Sequence, residues 1–214
     1  MFDKTIEQVR ARLNQPLPGE EVQYKMAPEG RAGINSLFEQ NNNPRKSAVM
    51  VLLFPDKELV KTVFIVRPVY QGVHSGQVAF PGGKQDESDH SLAHTALRET
   101  HEEVGVDPSS VEIIGKLTEV YIPPSNFLVT PYIGFTQEHP VFVPDNHEVD
   151  KIVTHNLFDL NRDDLRAEKK VTVAGGFEIQ TPYYNINGET LWGATAMMVS
   201  ELNKVIEEAR AISI

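Results

Sequence analysis

Apolar residues recur along this chain in two spacings, and the switches between them mark the elements. Ile6, Val9 and Leu13 lie three and four apart and predict a short amphipathic helix over residues 3–13. From Ser47 the pattern changes to short continuous runs. AVMVLLF (48–54) and TVFIV (62–66), split by the turn sequence PDKE, predict two strands, and QVAF (77–80) is a third run that ends in PGG. Over residues 90–104 the helical period returns, with Ala93, Ala96, Leu97, Thr100 and Val104 on one side and Gly105 as a natural stop. VEIIGKLTEV (111–120), LVTPYIGF (128–135) and VDKIV (149–153) predict further strands. FEIQTPYYNI and ETLW, joined by Asn187-Gly188, form the strongest hairpin signal in the chain, and a last helix is expected from about Thr195 to Ala211. Strands before, between and after helices indicate an α/β protein in which helices cover a mixed sheet, an α/β/α arrangement.

QPLPGEE (15–21) and NNNP (41–44) punctuate the N-terminal part. Residues 1–44 therefore read as a helical extension packed on a main domain of residues 45–214. Composition narrows the function. The formal net charge of −10 argues against a nucleic-acid partner, which needs clustered Lys and Arg. An anionic small molecule stays compatible if a divalent cation supplies local positive charge. With no cysteine, a disulfide framework and thiolate zinc sites are excluded. The N-terminus MFDKTIEQVRARL has no apolar signal region, and the longest apolar run, AVMVLLF, is far too short for a membrane span. A cytoplasmic protein without a membrane partner is expected, with a homodimer left open.

The candidate chemistry lies in RETHEEVGV (98–106). At about 100° per residue, Glu99, Glu102 and Glu103 share an arc of about 100°, which the helical wheel turns outward along one edge. A solvated helix face, with Arg98 pairing to Glu102, is the plain alternative. Against it, Glu99 and Glu103 are a repulsive i, i+4 pair near a helix C-terminus, where the dipole disfavours anions. A hard divalent cation turns that repulsion into binding. Upstream, HSGQVAFPGGKQDESD ends a strand in a glycine loop, whose backbone can approach a metal or phosphate closely. Strand, glycine loop and acidic helix together imply a metal-dependent site for a phosphate-bearing ligand, without fixing the reaction.

These residues resemble the Nudix box, G-x5-E-x7-R-E-U-x-E-E-x-G-U with U bulky and aliphatic. Gly83, Arg98, Glu99, Glu102, Glu103, Gly105 and Val106 match it. Thr100 stands at a bulky position, and the early acidic residue is Asp89, from which the gap to Arg98 is one residue longer than in the general box. That spacing, and FIVRPVYQGVHSGQVAFPGG ahead of it, resemble the coenzyme A pyrophosphatases of the Nudix superfamily. Arg67, His74, Gly76, Gln77, Phe80, Pro81, Gly82 and Gly83 follow that signature, whereas Pro68, Gln71 and Gly72 depart from it, Gly72 standing where a basic residue is expected. The likeness spans about residues 47–200 and includes TEVYIPPSNFLVTPYIGF and LWGATA.

The resemblance implies a Nudix-type α/β/α sandwich and Mg²⁺- or Mn²⁺-dependent hydrolysis of a small-molecule diphosphate. In the subfamily, coenzyme A is split into 3′,5′-ADP and 4′-phosphopantetheine. It further implies Glu99, Glu102 and Glu103 as metal ligands, Glu102 orienting a water or holding a second ion, and the Gly82 or Gly83 carbonyl in the shell. The proton acceptor comes from the box or from a later loop, where Glu148 is the candidate and a solvated turn residue the alternative. Arg98 is read as orienting Glu102. Substrate contacts fall to Arg67, His74, Gln77, Gly82 and Gly83, with a structural ion pair the alternative for Arg67. His90, His94 and His101 read as solvated, since no partner set for zinc accompanies them, and Trp192 reads as core or interface. Other readings are a Nudix enzyme acting on ADP-ribose, nucleotide sugars or nucleoside triphosphates, and a non-catalytic nucleotide sensor.

Overall fold

The computed structural model describes residues 1–31, 43–173 and 176–213. Its centre is the strand built on the longest apolar run, β1 (Arg45–Asp56), which pairs antiparallel with β2 (Leu59–Val66). Short strands follow at β3 (Val78–Ala79) and β4 (Gly82–Lys84), the second of which lies antiparallel to residues 47–49 of β1. Beyond a helix come β5 (Glu112–Lys116), β6 (Val120–Ile122), β7 (Phe127–Phe135) and β8 (Lys151–Asn156). β7 runs parallel to β1 along its length, from Arg45 opposite Phe127 to Leu53 opposite Phe135. The result is a mixed eight-stranded sheet with the path β3-β2-β1-β7-β5, onto which β4, β6 and β8 pair. A second sheet holds β9 (Arg166–Thr172), β10 (Glu178–Ile186) and β11 (Glu189–Trp192).

Alternation along β1 explains why the run is apolar on both sides. Met50, Leu52 and Phe54 face a core shared with the acidic helix, here α3 (Leu92–Val104), through Ala96 and Val104. Val51 and Leu53 face the opposite core. That second core is closed by α1 (Phe2–Leu13), through Ile6 and Val9, and by the C-terminal helix α4 (Gly193–Arg210), through Val199, Leu202 and Val205. Strands buried on both faces and covered by helices are the expected α/β/α architecture. The β10–β11 hairpin turns at Asn187 and Gly188, both at positive φ (54° and 90°), the conformation a two-residue type I′ turn demands. Among the described residues no helix is long and apolar enough to cross a membrane.

The N-terminal segment is held by a buried acid. Glu201 of α4 is fully buried, and its carboxylate accepts from the Gly19 N–H (3.1 Å), the Gln23 amide (2.7 Å) and the Thr118 hydroxyl (2.7 Å) and N–H (3.1 Å). Gln23 lies in the short helix α2 (Glu20–Gln23), so one side chain ties the extension, α4 and the β5–β6 connection together. The expected boundary at residue 44 adjoins residues 32–42, which lie outside the described residues.

Two elements differ from the periodicity. Residues 111–120 are not one strand: they break between β5 and β6, where Thr118 turns to Glu201 and a bulge interrupts pairing between Ile113 and Gly115. β9 has no apolar alternation, because it is an exposed, Lys-bearing edge strand paired on one side to β10.

Replacing Glu201 with Ala leaves four donors without their acceptor and is expected to cost about 3 kcal/mol or more. The urea midpoint should fall well below that of wild type. An unchanged midpoint rules out the clamp.

Candidate active site

The site is assembled where β4 crosses the C-terminal half of α3. Ser91 caps α3 by accepting the His94 N–H at 3.1 Å, which fixes where the helix begins and hence which residues face the sheet. Gly82 takes φ 153° against β1, and a Cβ there would lie 2.3 Å from the Ala48 carbonyl oxygen. Only glycine lets the strand come this close. Its backbone N–H thereby reaches α3 and donates to Glu103 Oε2 at 2.7 Å.

Glu103 does not face outward. It is 1% exposed, with Arg67 Nη2 3.3 Å from Oε1. Burial pushes its carboxyl up to about 8; Arg67 and the Gly82 N–H oppose the rise, and Glu99 and Glu148 add to it. Its position on the helical wheel is only about 20° from Ala96, at the margin of the apolar face, and β4 covers that margin. Glu99 is partly buried over Gly83, and desolvation raises its carboxyl despite Arg98 at 2.9 Å. Glu148 is exposed and comes from the loop after β7. That loop is fastened to the end of α3, where the Asp145 N–H donates to the Glu103 carbonyl (3.1 Å) and the Val143 N–H to the Val104 carbonyl (2.9 Å). Gly105 allows this approach, since a Cβ there would meet Val143 at 2.8 Å.

Carboxylate oxygens of Glu99, Glu103 and Glu148 lie within 4.8 Å of one another. Three hard oxygen donors so close, two of them with raised pKa, form a site whose uncompensated charge suits a divalent cation such as Mg²⁺. Glu102 stands apart from the three: its side chain is half-exposed and accepts from Arg98 Nη1 at 2.8 Å. The Gly82 carbonyl accepts from Arg67 (3.0 Å) and the Gly83 carbonyl from the Ser47 hydroxyl (2.6 Å).

Arg98 does more than orient Glu102. It grips the buried Asp89 through two bonds, Nε to Oδ1 (3.0 Å) and Nη2 to Oδ2 (2.9 Å), and contacts both Glu99 and Glu102. Asp89 is held well below the usual carboxylate range, chiefly by Arg98, with burial opposing. His94 is exposed, as expected, and its Nδ1 also lies 2.9 Å from Asp89 Oδ1. The His90 and His94 rings lie tilted at 43° with centroids 5.5 Å apart, and His101 Nδ1 lies 3.2 Å from the Val106 carbonyl.

A cavity of about 840 Å³ opens beside Gly82 and Gly83, and Arg67, His74 and Gln77 all line it. His74 and Gln77 also contact each other at 3.1 Å. Trp192 lies on the same wall, half-buried, so its surroundings are a cleft rather than a sealed core. The periodicity gave no sign of four other contributors: Glu29 and Arg31 of the N-terminal segment and Val171 and Ile179 of the β9–β10 pair. No motif carries them; they arrive by tertiary packing alone.

The NUDIX domain family profile matches residues 44–174. The chain is 29% identical over 196 residues to the uncharacterized Nudix hydrolase NudL of Yersinia enterocolitica, covering 90% of this chain and 88% of that protein. It is 31% identical over 157 residues to the human mitochondrial coenzyme A diphosphatase NUDT8, covering 72% and 66% of the two chains. Among solved structures, the Nudix hydrolase RenU of M. smegmatis superposes with a TM-score of 0.53 at 15% identity, covering 80% of this chain and 89% of that one. A MutT/nudix family protein from Enterococcus faecalis gives 0.53 at 20% identity, covering 90% and 76%. These structural likenesses speak to the fold. The chain belongs to the Nudix hydrolase family, enzymes that act on phosphorus-containing anhydrides.

Proposed function

We propose that this enzyme hydrolyses the diphosphate bond of coenzyme A or its derivatives, releasing 3′,5′-ADP and 4′-phosphopantetheine, with Mg²⁺ or Mn²⁺ as cofactor. The observation that carries the chemistry is the convergence of Glu99, Glu103 and Glu148 beside the glycine-lined end of the cavity. The substrate class is supported by the likeness to a coenzyme A diphosphatase and by the upstream signature residues that line the cavity.

Glu99 and Glu103 are the principal metal ligands in this reading. A bound ion would supply Lewis-acid polarisation of a phosphoryl oxygen. Glu148, exposed and next to both, takes the proton as water oxygen bonds to phosphorus and the bridging P–O bond breaks, its electrons leaving with the second phosphate. Glu102, the exposed member, is available to a second ion or a water. Arg67 and the Gly82 N–H hold Glu103 in place, and His74, Gln77 and Gly83 bound the substrate side.

Incubation with coenzyme A and Mg²⁺ should yield the two named products. A higher kcat/KM for ADP-ribose than for coenzyme A reverses the substrate assignment. Glu103→Gln keeps an acceptor for Gly82 and is expected to lower kcat by about 100-fold or more; a loss under about tenfold sinks the metal assignment.

Gly83→Ala tests geometry separately. The added Cβ would lie 2.4 Å from the Glu99 carboxylate carbon, the mobile end of that side chain. Turnover should drop by about tenfold with little change in Tm, and full activity would show that Glu99 needs no fixed position.

The raised Glu103 carboxyl sets a pH dependence. It is about 8, so at pH 7 the metal-free group carries its proton, and a cation must displace it. Titrating Mg²⁺ at pH 7 should release about one proton, and apparent affinity should rise from about pH 6 to about pH 9. Between the ordinary glutamate value and about 8 the folded metal-free chain binds more protons than the unfolded one. This group's contribution to stability is therefore present in acid and lost as pH rises through that window. Calorimetry in buffers of different ionisation enthalpy reads the proton count, and zero release contradicts a protonated Glu103.

A further inference from the structure

The cavity beside the carboxylates is lined at its other end by Glu29 and Arg31, part of the N-terminal segment rather than of the box. Three Lys and Arg side chains line it among the described residues: Arg31, Arg67 and Lys84. Arg67 is engaged with Glu103 and the Gly82 carbonyl, and Lys84 belongs to β4, at the catalytic end. Gly72, on the same wall, brings no charge.

Arg31 is placed by built contacts. Its guanidinium Nη2 donates to the Tyr121 carbonyl on β6, its N–H donates to the Pro28 carbonyl at 3.1 Å, and the Glu29 N–H donates to the Gln180 carbonyl at 3.0 Å. Strand pairing gives the separation. β4 pairs with β1, β1 with β7 and β7 with β6, so the Tyr121 backbone stands three strand spacings from β4, about 14 Å. Arg31 and the carboxylates therefore do not serve one phosphoryl group, and a substrate must carry a second anionic group to use both. The guanidinium forms no ion pair within 4 Å with a described carboxylate. Arg31 also borders a neighbouring pocket of about 460 Å³ together with Tyr121, Tyr24 and Glu20; burial lowers its pKa, and attraction to Tyr24 and Glu20 opposes the shift. Five N–H donors in a planar fork suit a phosphate, and the Tyr121 carbonyl engages only part of them. Glu29, exposed on the same wall, opposes an anion but stands in solvent, where its field is screened.

We propose that Arg31 is a specificity-determining residue: it receives a substrate phosphate remote from the diphosphate that is cleaved. The proposal rests on the coenzyme A reading above, in which that group is the 3′-phosphate. The N-terminal segment, held by the Glu201 clamp, then supplies the positive charge that Gly72 does not.

The experiment compares coenzyme A with 3′-dephospho-coenzyme A as substrates of the full-length wild type and of Arg31→Gln and Arg31→Lys. Gln retains a donor for the Tyr121 carbonyl while removing the charge. Wild type should favour coenzyme A in kcat/KM by about tenfold. Arg31→Gln should erase that preference through a higher KM for coenzyme A, with kcat and the dephospho substrate unchanged, and Arg31→Lys should restore part of it. Equal hydrolysis of both substrates by wild type, or an equal loss on both in Arg31→Gln, overturns the Arg31 assignment and leaves the proposed function standing. No hydrolysis of either by wild type overturns both. Binding of 3′,5′-ADP and 5′-AMP to folded Arg31→Gln gives a second readout. Only the first ligand should weaken, and equal weakening of the two counts against the assignment.

Discussion

A carboxylate buried where a helix least tolerates it organises this molecule. Glu103 sits near the C-terminal end of α3, against the dipole, with 1% of its surface exposed. Its local compensation is one backbone N–H, from Gly82, and one guanidinium, from Arg67. Both depend on β4 lying hard against β1, which only glycine at position 82 allows. The sheet, the glycine loop and the acidic helix are thus one mechanical unit, and loosening any of them leaves a buried carboxyl without its partners.

Arg98 and Asp89 perform a second task, bridging the outer carboxylates with one fixed cation. Asp89 is a buried anion satisfied by the Asp86 N–H, the Thr95 hydroxyl and Arg98. Fixing Arg98 on Asp89 fixes the guanidinium that Glu99 and Glu102 share, so their mutual repulsion is countered by a cation that cannot wander. Charge near the site is consequently graded by depth, from Glu103, buried and raised, through Glu99, half-covered, to Glu102 and Glu148 in solvent.

Much of this was legible in the sequence where the chain acts locally. The period of residues 90–104, the apolar runs of β1 and β2, and the Asn187-Gly188 turn gave the elements, because each is governed by neighbours a few residues away. Of the three box glutamates, Glu99 and Glu103 lie in the carboxylate cluster and Glu102 outside it, while Glu148 joins through backbone bonds that link its loop to the end of α3. What the helical wheel misjudged was exposure. It placed Glu103 on an outer edge because the wheel knows only its own helix, whereas Gly82 of β4 comes from 21 residues upstream to cover that edge. β9 escaped for the opposite reason: a solvent-facing edge strand has no apolar pattern to read, and its identity lies in the partner strand.

The same division separates chemistry from selectivity. Every carboxylate of the cluster lies on α3 or on a loop bonded directly to its end, so the cluster is assembled around one helix. The walls of the cavity come from the N-terminal segment, the loop after β2, the β6–β7 connection and the β9–β10 pair, regions far apart in the chain. They are held in register by tertiary contacts such as the buried Glu201 clamp. A wall made of distant segments can change its charge and shape without disturbing the carboxylate cluster on α3. A box can therefore remain intact while the cavity beside it is rebuilt, and selectivity has to be sought in residues that no box motif contains.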